Sequence, residues 1–269
     1  LADDDKITDV IETEFREILS SYGDDRLTAI KAAVGDISME DVTEKEDVIV
    51  TITHKGYLKR MPVDTYKTQK RGGTGVKGSS SDEDFYTDIF MANTHDILLF
   101  FTDAGKMFSR KVYEIPMGSR TSKGKNVVNI LPISSDEKIK SILVQPKDTS
   151  GKFIVFATEQ GLIKKSHLSD YENIRQSGLK ALKLVEGDNI VNVSITEAGN
   201  DILMCATSGK FIRFNESGVK PKGRVSQGSR GISLFYGEKV IGMEIITGPG
   251  EILSLTERGY GKRTNIDQY

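Results

Sequence analysis

The stretch TITHKGYLKR, Thr51–Arg60, decides the fold. It lies within DVIVTITHKGYLKRM (47–61), where β-branched and polar residues alternate around a turn. A period of two broken by a glycine is the signature of a β-hairpin. Gly56 stands where a tight loop needs positive φ, which a residue without Cβ adopts at no steric cost. The pattern recurs in FFTDAGKMFSRK (100–111), VFATEQGLIKK (155–165), CATSGKFIRF (205–214) and SLTERGYGKR (254–263). The glycines stand at 56, 105, 161, 209 and 259, with spacings of 49, 56, 48 and 50. A fixed period in a fixed strand context marks a repeat architecture.

The runs entering each hairpin are VIVTI, ILLFF, FIVFA, ILMCA and EILSL. They are too continuously apolar for half-solvated strands, so each is expected to be buried on both faces. A unit of about fifty residues made only of strands and turns fits a four-stranded propeller blade. The expected fold is therefore all-β and propeller-like, with about five repeats. The fifth stops at Tyr269, soon after its hairpin, so the sequence reads as a fragment of something longer.

Residues 7–22 carry a different period. Ile7, Val10, Ile11, Phe15, Ile18 and Leu19 fall three and four apart, which predicts an amphipathic helix packed on something. Asp3, Asp4 and Asp5 suit its N-terminal dipole, and Gly23 its C-terminal cap. Residues 24–46 read as an acidic connector.

Composition sets bounds. Apolar residues make up 37% of the 269 and charged residues 28%, ordinary for a soluble protein. No run of eighteen apolar residues is present, so no membrane helix is expected. The opening LADDDK is acidic and unlike a signal peptide. Cys205 is the one cysteine, which excludes an intrachain disulfide and fits a reducing cytoplasm. The net charge of −2 divides into −9 over residues 1–46 and +7 over 47–269. A polyanionic partner is plausible for the larger, basic part.

The bases recur with the repeat. Lys59 and Arg60, Arg110 and Lys111, Lys164 and Lys165, Arg213, and Lys262 and Arg263 follow the hairpins. Neighbours on a strand face opposite ways, so at least one of each pair is expected in solvent. Lys70, Arg71, Arg120, Lys123, Arg175, Lys180, Lys222, Arg224 and Arg230 fall in the second halves of the units. Equivalent placement would form a basic belt, as a duplex bent around it needs. Smooth bending costs about 1–6 kcal/mol per 20–30 bp, which many phosphate contacts must offset. The competing reading is that edge-strand lysines only suppress aggregation.

Those second halves are rich in Gly or Ser: QKRGGTGVKG (69–78), GSRTSKGKNV (118–127), IRQSGLKAL (174–182) and GRVSQGSRGISL (223–234). The first is not a nucleotide cradle. Around Lys77, Val76 stands where a phosphate loop needs its second glycine, and Gly78 where it needs Ser or Thr. No βαβ pattern surrounds it. His54, His95 and His167 are isolated, and Cys205 within ILMCAT reads as a core thiol. No catalytic residue and no metal site are assigned to this chain.

QKRGGTG, Gln69–Gly75, resembles the seven-residue box of the C-terminal domain of the DNA gyrase A subunit, Q-(R/K)-R-G-G-(R/K)-G. THKGYLKR, TERGYGKRT and the fifty-residue repeats agree with that family. The helix followed by YGDDRLTAI resembles the end of its breakage–reunion region. The resemblance implies a helical end and linker over 1–34 and a β-pinwheel over 35–269, truncated at its C-terminus. A β-pinwheel is a six-bladed, propeller-like disc whose blades exchange strands; the usual sixth unit is absent here.

The resemblance also implies a function. Double-stranded DNA wraps around the basic rim, and the ATP-dependent type II topoisomerase introduces negative supercoils. Gln69, Lys70, Arg71, Gly72, Gly73, Thr74 and Gly75 would form the box, with Thr74 replacing a base and Lys77 close by. The cleavage tyrosine, ATP and Mg would lie elsewhere in a heterotetramer. The partners would be the N-terminal region of the gyrase A polypeptide and the gyrase B polypeptide, in the bacterial cytoplasm at the nucleoid. Two alternatives remain: the equivalent domain of topoisomerase IV, whose box is degenerate, and a protein-binding propeller.

Overall fold

The computed structural model describes residues 4–24, 28, 39–65 and 84–269. The chain divides into two compact units, 1–42 and 43–269. The first contains helix α1 (Asp4–Tyr22) and the short α2 (Met39–Val42). Gly23 N–H closes α1 on the carbonyl of Leu19 at 2.8 Å. A Cβ there would lie 2.3 Å from that same oxygen, so only glycine fits. The apolar stripe of α1 is not packed: Phe15 is 67% and Leu19 70% exposed.

Among its described residues the second unit is built of five small antiparallel sheets. In the first, β1 (Asp47–Thr53) pairs with β2 (Tyr57–Pro62) and β3 (Tyr86–Asn93). The second contains β4 (Ile97–Thr102) and β5 (Lys106–Lys111); then come β6 (Lys125–Asn126) and β7 (Ile139–Val144). The third contains β8 (Lys152–Thr158) and β9 (Leu162–His167), followed by β10 (Leu179–Lys180) and β11 (Ile190–Glu197). The fourth contains β12 (Asp201–Ala206) and β13 (Phe211–Asn215), followed by β14 (Ser229–Arg230) and β15 (Val240–Ile246). The hairpin β16 (Glu251–Leu255) and β17 (Gly261–Asn265) ends the series.

The units do not keep all their own strands. The sheet orders are β3-β1-β2-β6, β7-β4-β5-β10 and β11-β8-β9-β14. Thus β6, β10 and β14 each cross back to complete the sheet of the preceding unit. At the opposite edges β11 lies against β7 and β15. Ser141 Oγ donates to the carbonyl of Val193 at 3.3 Å, and Asn192 Nδ2 to that of Met243 at 2.7 Å. The sheets therefore meet along β7, β11 and β15, and the exchanged strands form their outer margins.

Burial on both faces holds for the strands entering the first four hairpins. Leu98 and Phe100 face a core shared with the first sheet, and Leu99 and Phe101 one shared with the third. Val155 and Ala157 then turn from the third sheet toward the fourth. Each fully buried Leu or Phe contributes about 1.5–3 kcal/mol, so the alternation welds consecutive sheets. The expectation fails at EILSL: Leu253 is 63% and Leu255 69% exposed. Among the described residues β16 pairs only with β17, and a groove of about 950 Å³ separates that hairpin from the fourth sheet. The six-blade expectation meets five sheets among the described residues: three of four strands, one of three and one of two.

The hairpin glycines have positive φ, as expected, and a second task. The carbonyls of Gly56, Gly105 and Gly161 accept from the N–H groups of Val127, Ala181 and Gly231 in the next unit, at 2.8–2.9 Å. A Cβ on Gly105 would stand 2.7 Å from the carbonyl oxygen of Leu182. Turn geometry and close approach both require glycine there.

Candidate nucleic-acid interface

The Gly/Ser-rich stretches that begin at 118, 174 and 223 lead into the exchanged strands. Gly124, Gly178 and Gly228 precede β6, β10 and β14 with φ of 82, 83 and 99°. Their Cα atoms press on the preceding unit, where added Cβ atoms would meet the Leu58 carbonyl, the Phe108 ring and the Ile163 carbonyl within 2.7 Å. These glycines follow the hairpin glycines by 19, 17 and 19 residues. Gly75 follows Gly56 by 19, so by spacing it is the first copy of the same position. The box Gln69–Gly75 and Lys77 lie outside the described residues.

The exchanged strands carry exposed bases. Lys125 pairs with Leu58, Lys180 with Lys106 and Arg230 with Leu162, and all three side chains reach solvent. Lys123 and Arg175, in the loops before β6 and β10, are exposed too. Lys123 Nζ lies 4.1 Å from the Tyr57 ring centroid, within cation–π range. Arg120, Lys222 and Arg224 are half-buried. Lys125 is absent from the bases singled out in the sequence. Its signal is the spacing: a base stands one or two residues after each of Gly75, Gly124, Gly178 and Gly228.

The bases directly after the hairpins behave differently. Lys59, Lys164 and Lys165 are buried, at 2, 1 and 3% exposure. The expectation that one of each pair reaches solvent therefore fails at Lys164 and Lys165, because Tyr171, Ala181 and Arg224 cover one face of β9 and Glu216 the other. Lys59 Nζ donates to the carbonyls of Ser119, Arg120 and Ser122 at 3.1, 2.7 and 2.7 Å. Lys164 Nζ donates to the carbonyls of Ala181 (2.8 Å) and Arg224, and lies 3.2 Å from the Tyr171 hydroxyl. Lys165 is ion-paired with buried Glu216 and donates to its carbonyl at 2.9 Å. Arg60 and Arg213 likewise donate to carbonyls of the next unit, those of Ile115 (2.8 Å) and Ile266 (2.9 Å). Arg213 is also paired with Asp201 at 2.8 Å.

These side chains are struts between units. Recurrence of the bases after the hairpins thus reflects a repeated junction, and Lys59, Lys164 and Lys165 leave the belt. Arg110 is half-buried on the Ile130 carbonyl and Lys111 on that of His95. Lys262 and Arg263 are exposed, with Arg263 paired to Glu251 at 2.8 Å.

Burial, with Arg224 acting in the same sense and Asp170 against it, holds the Lys164 ammonium down to about 8 from 10.5. Between those values the unfolded chain binds a proton that the folded chain has released. Folding stability therefore gains from this group as pH rises from about 8 toward 10.5, and its slope vanishes below about 8. In Lys164→Met that gain should disappear. Urea midpoints of the two proteins at about pH 7 and about pH 10 check it.

The histidines and the cysteine singled out in the sequence have local contacts. His54 stacks on Phe85 at 5.0 Å, His95 Nε2 lies 2.8 Å from the Thr43 carbonyl, and His167 tilts on Phe153 at 5.0 Å. Cys205 is half-buried rather than fully enclosed, and burial pushes its thiol up.

Antiparallel sheets in series, the first three each completed by a base-bearing strand of the next unit, define a strand-exchanging β-propeller. The model of the DNA gyrase C-terminal domain, beta-propeller, matches residues 47–84, 96–146, 152–197, 200–247 and 250–269. The chain belongs to that family. It is 43% identical to the DNA gyrase A protein of Clostridium acetobutylicum over 270 residues, which is 100% of this chain and 32% of that protein. With the Escherichia coli gyrase A protein the identity is 39% over 249 residues, 92% of this chain and 28% of that protein. The chain thus spans about a third of the length of these relatives. Among solved structures it is similar to a DNA gyrase A C-terminal domain, with a TM-score of 0.67 and 27% identity, covering 82% of this chain and 72% of that one. It is also similar to the C-terminal domain of a DNA topoisomerase IV, with a TM-score of 0.67 and 30% identity, covering 84% and 69%. No described helix is long and apolar enough to cross a membrane.

Proposed function

We propose that this chain is the DNA-wrapping domain of a gyrase A protein, bending duplex DNA along its exchanged strands. The observation that carries the reading is the placement of Lys125, Lys180 and Arg230. They recur, exposed, on the outer strands of three successive sheets. Cations repeated from sheet to sheet neutralise phosphates without reading bases, which suits a wrap of arbitrary sequence. The box Gln69–Gly75 belongs to the same series of loops by its spacing.

The domain contributes geometry rather than bond chemistry. By presenting a bent segment for strand passage, it would let the holoenzyme introduce negative supercoils. Cleavage, ATP and Mg are assigned to other regions: the N-terminal part of the gyrase A polypeptide and the gyrase B polypeptide, in a heterotetramer of the bacterial cytoplasm, at the nucleoid. The likeness to a topoisomerase IV domain supports a second reading, a relaxing and decatenating enzyme. Reconstitution of the full-length protein with its ATPase partner separates the two. ATP-dependent negative supercoiling is expected; relaxation and decatenation without supercoiling would favour topoisomerase IV.

A further inference from the structure

At two of the three junctions made by an exchanged strand, a buried lysine grips the backbone beneath an arginine of the next unit. Lys59 holds the carbonyls around Arg120, and Lys164 holds that of Arg224. Arg120 and Arg224 occupy the same place, four residues before Gly124 and Gly228. In each the Nε atom is buried with no hydrogen-bond partner, and no other described arginine shares this state. Arg224 Nη1 has one contact, the Asp170 carbonyl at 3.3 Å. Each half-buried guanidinium thus keeps donor capacity that its own loop does not use. Exposed Lys123 and Lys125 follow the first arginine, and exposed Arg230 follows the second.

The remaining junction supplies an internal contrast. There Phe108 stands in the place of the lysine and Ile174 in that of the arginine. Lysine and arginine occur together, or an apolar pair replaces both.

We propose that loops 118–125 and 223–230 are phosphodiester-binding cradles. Arg120 and Arg224 contact the phosphates, while Lys59 and Lys164 are positioning residues that hold the loop backbones from below. The acceptor they fit is a phosphate oxygen pair of a nucleic-acid backbone, which matches the planar guanidinium fork. This rests on the DNA-binding reading above.

The test is binding of fluorescein-labelled random-sequence duplex DNA by the full-length protein across a salt series. Each lost phosphate contact lowers the slope of log affinity against log salt by about 0.9, so Arg120→Ala/Arg224→Ala should lower it by about 1.8. Arg120→Lys/Arg224→Lys keeps the charge and should keep most of the slope. Lys59→Met/Lys164→Met should lower the slope although neither ammonium reaches the surface, and Ile174→Ala should not. Hydrogen exchange on the wild type gives a readout free of mutation: DNA should protect loops 118–125 and 223–230 more than 172–178. An unchanged slope in the alanine variant, or equal protection of all three loops, would overturn the cradles and leave the DNA-binding reading standing. Absence of duplex binding by the wild type would remove both.

Discussion

Lys165→Met is expected to destabilise the β unit by about 3–5 kcal/mol, because it strands a buried carboxylate. The Lys165 and Glu216 side chains are only 4% and 5% exposed. The pair joins the third sheet to the turn at Glu216–Gly218 after the fourth hairpin. Without the ammonium, Glu216 keeps a weak contact from the Gly199 N–H at 3.3 Å. The carboxylate must then stay charged without its cation or take up a proton. Lys165→Met/Glu216→Leu removes both charges and should recover much of the loss, since well-packed apolar residues often replace a buried ion pair at little cost. Equilibrium urea unfolding of the two variants checks this. A single variant within about 1 kcal/mol of wild type would mean that the pair is not a strut.

The second large effect is on DNA rather than stability. Lys125→Ala/Lys180→Ala/Arg230→Ala should lower the salt slope of duplex binding by about 2.7, close to 0.9 for each lost contact. These side chains lie in solvent, so the melting temperature should barely move; exposed substitutions typically change stability by no more than about 0.5 kcal/mol. Anisotropy titrations over a range of salt, with melting curves on the same preparations, separate the two quantities. Lys165 holds units together and should show in stability, whereas the three exposed bases should show in salt dependence.

That division explains what was legible in the sequence. The hairpins were, because a period of two and a loop glycine are local signals. Burial on both faces of β4 was too, since ILLFF has no polar interruption. The direction of the bases was not. Lys164 and Arg230 both recur with the repeat, yet one points beneath a neighbouring loop and the other into solvent. Periodicity places residues equivalently without saying whether the shared place is a surface or a junction. Strand exchange followed only from family resemblance, because a two-residue strand such as Leu179–Lys180 has no pattern of its own. Lys125 escapes notice for the same reason: its role comes from crossing to β2. The stripe on α1 read as a packing face, and a hydrophobic period cannot tell whether a partner is present within the chain.

The most direct measurement of the central claim is the linking number of nicked plasmid sealed by ligase in the presence of the full-length protein. Wrapping predicts a shift in the topoisomer distribution that grows with protein bound, shrinks in Lys125→Ala/Lys180→Ala/Arg230→Ala, and is lost when the box Gln69–Gly75 is deleted. An unshifted distribution at saturating protein, with binding verified in the same tubes, would contradict it.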